Sequence, residues 1–172
     1  MKKKIVVAVL VIIGIFTALF IYSIAIKLKF RSKIESKQAS IPSFKFRTLT
    51  DTTKYFETKD LSKDQPVVVI YFSTLCGSCQ YEATMLPQNE NSFKNAAIIM
   101  VSDQPFSMIE DFYKNYKLDK MKNLVVLKSD DDGFYKAFGT RSTPGIYIYN
   151  KNGKTLKSYL GETRISAITQ WL

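Results

Sequence analysis

The chain of 172 residues contains no histidine at all. That absence removes Ser-His and Cys-His catalysis, histidine-ligated metal centres and haem with an axial histidine. Cysteine is almost as scarce, with Cys76 and Cys79 the only two. A structural zinc site usually needs four ligands, and two cysteines without histidine do not supply them. The one acidic run, Asp130-Asp131-Asp132-Gly133, lacks the further spaced ligands and the distal glutamate of a calcium loop. It reads instead as a helix start, with acids near the positive end of the dipole. Internal repeats and low-complexity tracts are also missing, and the sole tryptophan, Trp171, is far along the chain from the cysteines.

Charge is lacking in one place above all. No charged side chain occurs from Ile5 to Ile26. At about 1.5 Å per residue, a helix of this length reaches roughly 33 Å, enough to span a bilayer. Met1-Lys2-Lys3-Lys4 precedes the run. The rival reading is a cleaved signal peptide, with Ser23-Ile24-Ala25 as a small-x-small site, but the apolar stretch is longer than such peptides need. The net charge of +10 could suggest nucleic acid. Its distribution argues otherwise: residues 1–40 carry eight Lys/Arg and one acid, whereas residues 41–172 carry seventeen Lys/Arg and fourteen Asp/Glu. The excess flanks the apolar segment, where it would meet anionic lipid head groups. No nucleic-acid partner is expected, because no basic stripe with interleaved aromatics stands out.

What is present is Cys76-Gly77-Ser78-Cys79, directly after the apolar run Val67-Val68-Val69-Ile70-Tyr71-Phe72. A dithiol at the end of a buried strand can open and close a disulfide. If a helix starts there, its unpaired N–H groups and dipole favour a thiolate at the first sulfur. Thiolate is the form that attacks another disulfide. A permanent structural bridge would close too small a loop to restrain the unfolded chain much.

The pattern divides the chain into a membrane anchor at 1–26, a polar linker at 27–40 and a folded domain at 41–172. Within the domain, Phe44–Leu49 and Lys54–Glu57 are expected as paired strands. Further strands are expected at Pro66–Ser73, Ala96–Val101, Leu124–Leu127, Gly145–Tyr149 and Thr155–Tyr159. Helices are expected from Cys76 to about Asn89, at Pro105–Tyr116, at Asp131–Phe138 ended by Gly139, and at Thr163–Leu172. Asn150–Lys154 carries a hairpin signal. The string implies an α/β fold, a central mixed sheet with helices on both faces.

At this point the residues resemble a known family. VVVIYFSTLCGSCQYEATMLP, residues 67–87, looks like the active-site strand and helix of thioredoxin-fold proteins, most like the membrane-anchored TlpA/ResA-like disulfide oxidoreductases. Arg141-Ser142-Thr143-Pro144-Gly145 and the hairpin after it resemble the family's cis-proline segment. IPSFKFRTLTDTTKYFETKDL, residues 41–61, resembles its extra N-terminal β-hairpin. The resemblance implies a thioredoxin-like fold with that hairpin extension and one transmembrane helix, without a cofactor or metal. It implies Cys76 as the attacking cysteine and Cys79 as the resolving one. Thr143 and Pro144 would bind substrate, the cis bond holding the Thr143 backbone to pair with an extended segment. Glu82, three residues after Cys79, would relay protons at the dithiol; a solvated helix glutamate is the other reading.

The implied protein is a thiol–disulfide oxidoreductase at the inner (cytoplasmic) membrane, single-pass, its domain on the periplasmic or extracytoplasmic side. Its partners would be disulfide- or dithiol-bearing exported proteins and a membrane thiol reductant. The chain departs from the family in having Gly-Ser between the cysteines, Leu75 in place of a tryptophan, Ile70 where thioredoxin has a buried aspartate, and Thr84 where a helix proline is usual. Two alternatives stand beside this reading. A peroxiredoxin-like thiol peroxidase would want Pro-x-x-x-Thr-x-x-Cys, but Ser73 holds the threonine position and Val69–Phe72 offers no proline. A non-catalytic thioredoxin-fold binding module would use the disulfide only structurally.

Overall fold

The computed structural model of the protein describes residues 14–26 and 39–172. The chain divides into two compact units, Met1–Ser36 and Lys37–Leu172. In the first, residues 14–26 are helical. The hydroxyls of Thr17 and Ser23 bond back to the carbonyls of Gly14 and Phe20 at 2.9 and 2.7 Å. Residues 5–13 of the expected span and residues 27–38 of the expected linker lie outside the described residues. Among the described residues, no helix is long and apolar enough to cross a membrane.

The second unit is built on β1 (Lys45–Thr48), β2 (Tyr55–Glu57), β3 (Val67–Tyr71), α1 (Gly77–Gln88), α2 (Glu90–Phe93), β4 (Ala97–Ser102), α3 (Phe106–Asn115), β5 (Leu124–Lys128), α4 (Gly133–Phe138), β6 (Gly145–Tyr149), β7 (Thr155–Leu160) and α5 (Ile165–Thr169). One seven-stranded sheet runs β2-β1-β5-β4-β3-β6-β7. Strand β3 pairs parallel with β4 (Val69↔Ile99) and antiparallel with β6 (Val69↔Tyr147), so the sheet is mixed. Every residue of β3 is buried, which its unbroken β-branched run VVVI suits.

Side chains alternate across the sheet and divide the core in two. Val68, Ile70 and Phe72 face α1, α3 and α5, packing with Cys79, Ala83, Leu86, Ile109 and Ile168. Val67, Val69 and Tyr71 face the other way, against Phe44, Phe46 and the α4 rings Phe134 and Phe138. Helices thus cover both faces. The N-terminal hairpin joins the main sheet through β1, antiparallel to β5 with Arg47 opposite Lys128. The result is a thioredoxin-like α/β fold with a mixed sheet.

Three local expectations change. The acids before α4 do not cap it. Asp131 and Asp132 have φ of 46° and 60°, and Asp132 makes no side-chain cap bond. Ser129 Oγ takes that role, accepting from the Phe134 N–H at 2.7 Å. The acids hold basic side chains instead: Asp130 pairs with both Nε and Nη2 of Arg47 at 2.7 Å and also with Lys128, and Asp132 pairs with Arg141 at 2.6 Å. The final helix is shorter than expected, beginning at Ile165 after the N-cap Arg164. Thr163 is drawn out of it into the interior. A further short helix, α2, follows the dithiol helix.

Candidate active site

The C-terminal end of β3 carries the chain into the loop Phe72–Leu75 and then into α1. Cys76 is the N-cap of that helix, in extended conformation, and its Sγ accepts the Cys79 N–H at 3.4 Å. Two glutamines far apart in sequence brace the loop that presents it. Gln104, just after β4, accepts the Thr74 N–H through Oε1 at 2.5 Å, and Gln80 Nε2 donates to the Thr74 carbonyl at 2.9 Å. Nothing in the sequence pattern marks Gln104, because polar loop residues are common and its meeting with Thr74 depends on the β3–β4 pairing. Leu75 is left 76% exposed beside Cys76.

Cys76 is half-buried and Cys79 is 1% exposed; both are free thiols. Burial is the main cause that pushes the Cys79 thiol well above its ordinary range, helped by its hydrogen bond with Cys76. The two sulfurs are therefore unlike: one reaches the surface, the other is held protonated in the core.

The Thr143–Pro144 peptide is cis. It brings the Thr143 carbonyl opposite the dithiol, where the Cys76 Sγ donates to it at 3.6 Å. Gly145 follows because the chain passes too close to itself for a side chain: a Cβ there would lie 2.8 Å from the Ser142 carbonyl oxygen. Gly145→Ala should therefore displace the Thr143–Pro144 loop, read as shifted amide resonances across residues 140–146 while the far-ultraviolet circular dichroism stays unchanged.

Glu82 is 3% exposed, one turn along α1 from Cys79. Its Oε1 accepts the Thr163 N–H at 2.9 Å, and its Oε2 has no partner. Burial, the largest cause, pushes its carboxyl from 4.5 up to about 7; the Thr163 bond opposes this and the Glu162 charge adds to it. A proton-holding carboxylate of this kind has a stability signature. In the unfolded chain Glu82 titrates near 4.5 and in the fold near 7. Its contribution is intact below the lower value and is lost as pH rises through the upper one, a change of about 3 kcal/mol. Glu82→Gln should flatten this slope and make the protein more stable than wild type at about pH 8, by urea unfolding at several pH values.

The structure thus brings Cys76, Cys79, Glu82, Thr143 and Pro144 to one end of the sheet, from α1 and from the loop before β6. Among the described residues, no cluster of acidic or cysteine side chains could hold a metal ion.

The sequence of residues 38–157 matches the profile of the AhpC/TSA family. The chain belongs to the AhpC/TSA family. None of the curated proteins matches it. Solved structures do. A secreted Mycobacterium tuberculosis disulfide oxidoreductase, described as homologous to E. coli DsbE, is 18% identical with a TM-score of 0.61, covering 80% of this chain and 98% of its own. DsbF from MTB, seen in mixed oxidised and reduced forms, is 20% identical with a TM-score of 0.64, covering 78% and 93%. StoA from Bacillus subtilis is 16% identical with a TM-score of 0.56, covering 77% and 98%. At these identities the likeness establishes a shared fold. This AhpC/TSA member has the thioredoxin-like architecture of those proteins, with its two cysteines just beyond the end of the interior strand β3.

Proposed function

We propose that this chain is a thiol–disulfide oxidoreductase that reduces disulfides of exported proteins, tethered to the inner membrane by its apolar N-terminal segment with the domain on the extracytoplasmic side. The observation that carries the reading is the asymmetric dithiol: a half-exposed Cys76 on a helix N-terminus, facing the Thr143 carbonyl beside a cis proline, with Cys79 buried beneath. The tether rests on the uncharged run Ile5–Ile26 and its basic flanks.

The chemistry follows from that asymmetry. An extended client segment lies along the Thr143 backbone, its disulfide against Cys76. The Cys76 thiolate attacks one client sulfur, forming a mixed disulfide, and the other client sulfur leaves as a thiolate and takes a proton. Cys79 must then lose its proton before it can attack. Glu82, ionised and with Oε2 free, acts as the general base for it. The Cys79 thiolate attacks the Cys76 Sγ, and the second client sulfur leaves. Two electrons and two protons have passed to the client, and Cys76 and Cys79 are joined. A membrane thiol reductant restores the dithiol by the same exchange in reverse.

The deciding experiment equilibrates the full chain in graded thiol/disulfide buffers and traps free thiols by alkylation. A potential near or below about −250 mV supports a reductase, and one near −120 mV would make it an oxidant of its clients. If no reversible disulfide forms between Cys76 and Cys79, the oxidoreductase reading fails in favour of a binding module.

One observation favours a second reading, a thiol peroxidase: the AhpC/TSA family includes peroxiredoxin-like members. Against it, Ser73 stands where such sites want threonine and Val69–Phe72 has no proline. Peroxide-dependent oxidation of Cys76 faster than its exchange with disulfides would select that reading.

A further inference from the structure

The turn between β7 and α5 hydrogen-bonds to two parts of the site, the Pro144 carbonyl and Glu82. The Gly161 N–H donates to the Pro144 carbonyl at 2.8 Å, extending the β6–β7 ladder one step past Gly145↔Leu160. The Thr163 N–H donates to Glu82 Oε1 at 2.9 Å. Between them the Thr163 hydroxyl donates to the Gly161 carbonyl at 3.0 Å, closing the turn on itself. Thr163 is buried. Gly161 has φ of +99°, a conformation that L side chains rarely adopt, although a Cβ there would meet nothing within 4 Å. Its need for glycine is thus conformational.

We infer that the Gly161–Thr163 turn is a positioning element that holds Glu82 and the Thr143–Pro144 loop in one hydrogen-bonded frame, with Thr163 as its positioning residue. The inference rests on the reading of Glu82 as the base for Cys79. A free turn could satisfy the Glu82 carboxylate or the Pro144 carbonyl separately; the Thr163 hydroxyl fixes the spacing of the two N–H groups so that both are met at once. The frame therefore sets two properties together, the readiness of Glu82 to ionise and the seat of the client segment. The titratable groups around Glu82 are Cys79 on its own helix and Glu162 within the turn. Because an N–H donated to a carboxylate favours its charged form, loosening the turn leaves Glu82 protonated to higher pH.

The test uses the full chain, with reduction of a disulfide-bridged fluorogenic peptide followed from about pH 5.5 to 9 and dithiothreitol as the reductant. In wild type the rate should rise with pH through a limb near 7, where Glu82 ionises. Thr163→Ala should move that limb up by about one pH unit and raise KM several-fold. Thr163→Ser keeps the hydroxyl and should restore both. Gly161→Ala should reproduce both effects more strongly, since it strains the turn without a clash. Glu82→Gln should remove the limb and leave KM near wild type. If Thr163→Ala lowers only the melting temperature, with limb and KM unmoved while Glu82→Gln still removes the limb, the turn is merely structural and the inference fails alone. If Glu82→Gln leaves the limb in place, the reading of Glu82 fails and the inference with it.

Discussion

Replacing Cys76 with serine should lower the rate of disulfide reduction by at least about a thousand-fold. The reason lies in how unequal the two thiols are. Cys79 belongs to the same buried core cluster as Val68, Ile70, Ala83 and Leu86, and burial holds its proton in place. At 1% exposure it offers almost no surface for attack on an outside sulfur. A serine hydroxyl at 76 is a far weaker nucleophile than a thiolate, and no histidine exists anywhere in the chain to activate it. Folding should be untouched, because serine is itself a favoured N-cap and keeps an oxygen for the Cys79 N–H. The complementary change, Cys79→Ser, removes only the resolving step. It should leave the first attack intact and accumulate a Cys76–client mixed disulfide, visible as a mass increase equal to the client that disappears on reduction. Both variants should melt within about 1–2 °C of wild type. A Cys76→Ser protein that unfolds would instead mark the pair as structural.

The second large effect concerns stability. Phe134→Ala should cost about 3–5 kcal/mol, read as a lower urea midpoint with an unchanged slope. Phe134 is 1% exposed at the centre of the aromatic face of the sheet. Its ring stacks on Tyr71 at 4.1 Å and 7° and on Phe138 at 4.2 Å and 4°, and Phe46 and Tyr147 lie within 6.3 Å. Removing it leaves a cavity between rigid rings that have no slack to collapse into. Out of a total stability of about 5–15 kcal/mol, such a loss is large. Phe134→Leu refills most of the space and should cost under about 2 kcal/mol. The change also bears on the site. Tyr71 ends β3, five residues before Cys76, and its hydroxyl donates to Asp103 Oδ2 at 2.8 Å. Loosening its stacking partner loosens the strand end that delivers the dithiol.

Much of this was written locally. The run VVVIY forms a strand buried on both faces because its β-branched side chains suit a pleated, covered surface, and the period-two alternation assigned each residue to a face. Gly139 stops α4 with φ of 77°, as a glycine after a helix does. The dithiol, the helix it opens and the loop before β6 could all be placed from spacing and resemblance, since each depends on residues close together in the chain. The short reach of side chains explains the failures. The acids at 130–132 looked like caps because caps are local, but Arg47 and Arg141 arrive only once β1 pairs with β5 and the loop before β6 folds back. Likewise the pairing of β3 with β4 and β6 decided that Gln104 braces the Thr74 loop. The same fold buries Glu82 and lays Thr163 against it across 81 residues. Sequence alone marked the two cysteines and the segments that come to lie beside them. Tertiary structure decided that Cys79 is buried while Cys76 stays partly exposed, and what surrounds Glu82, because burial and hydrogen bonding between distant segments exist only after the sheet has closed.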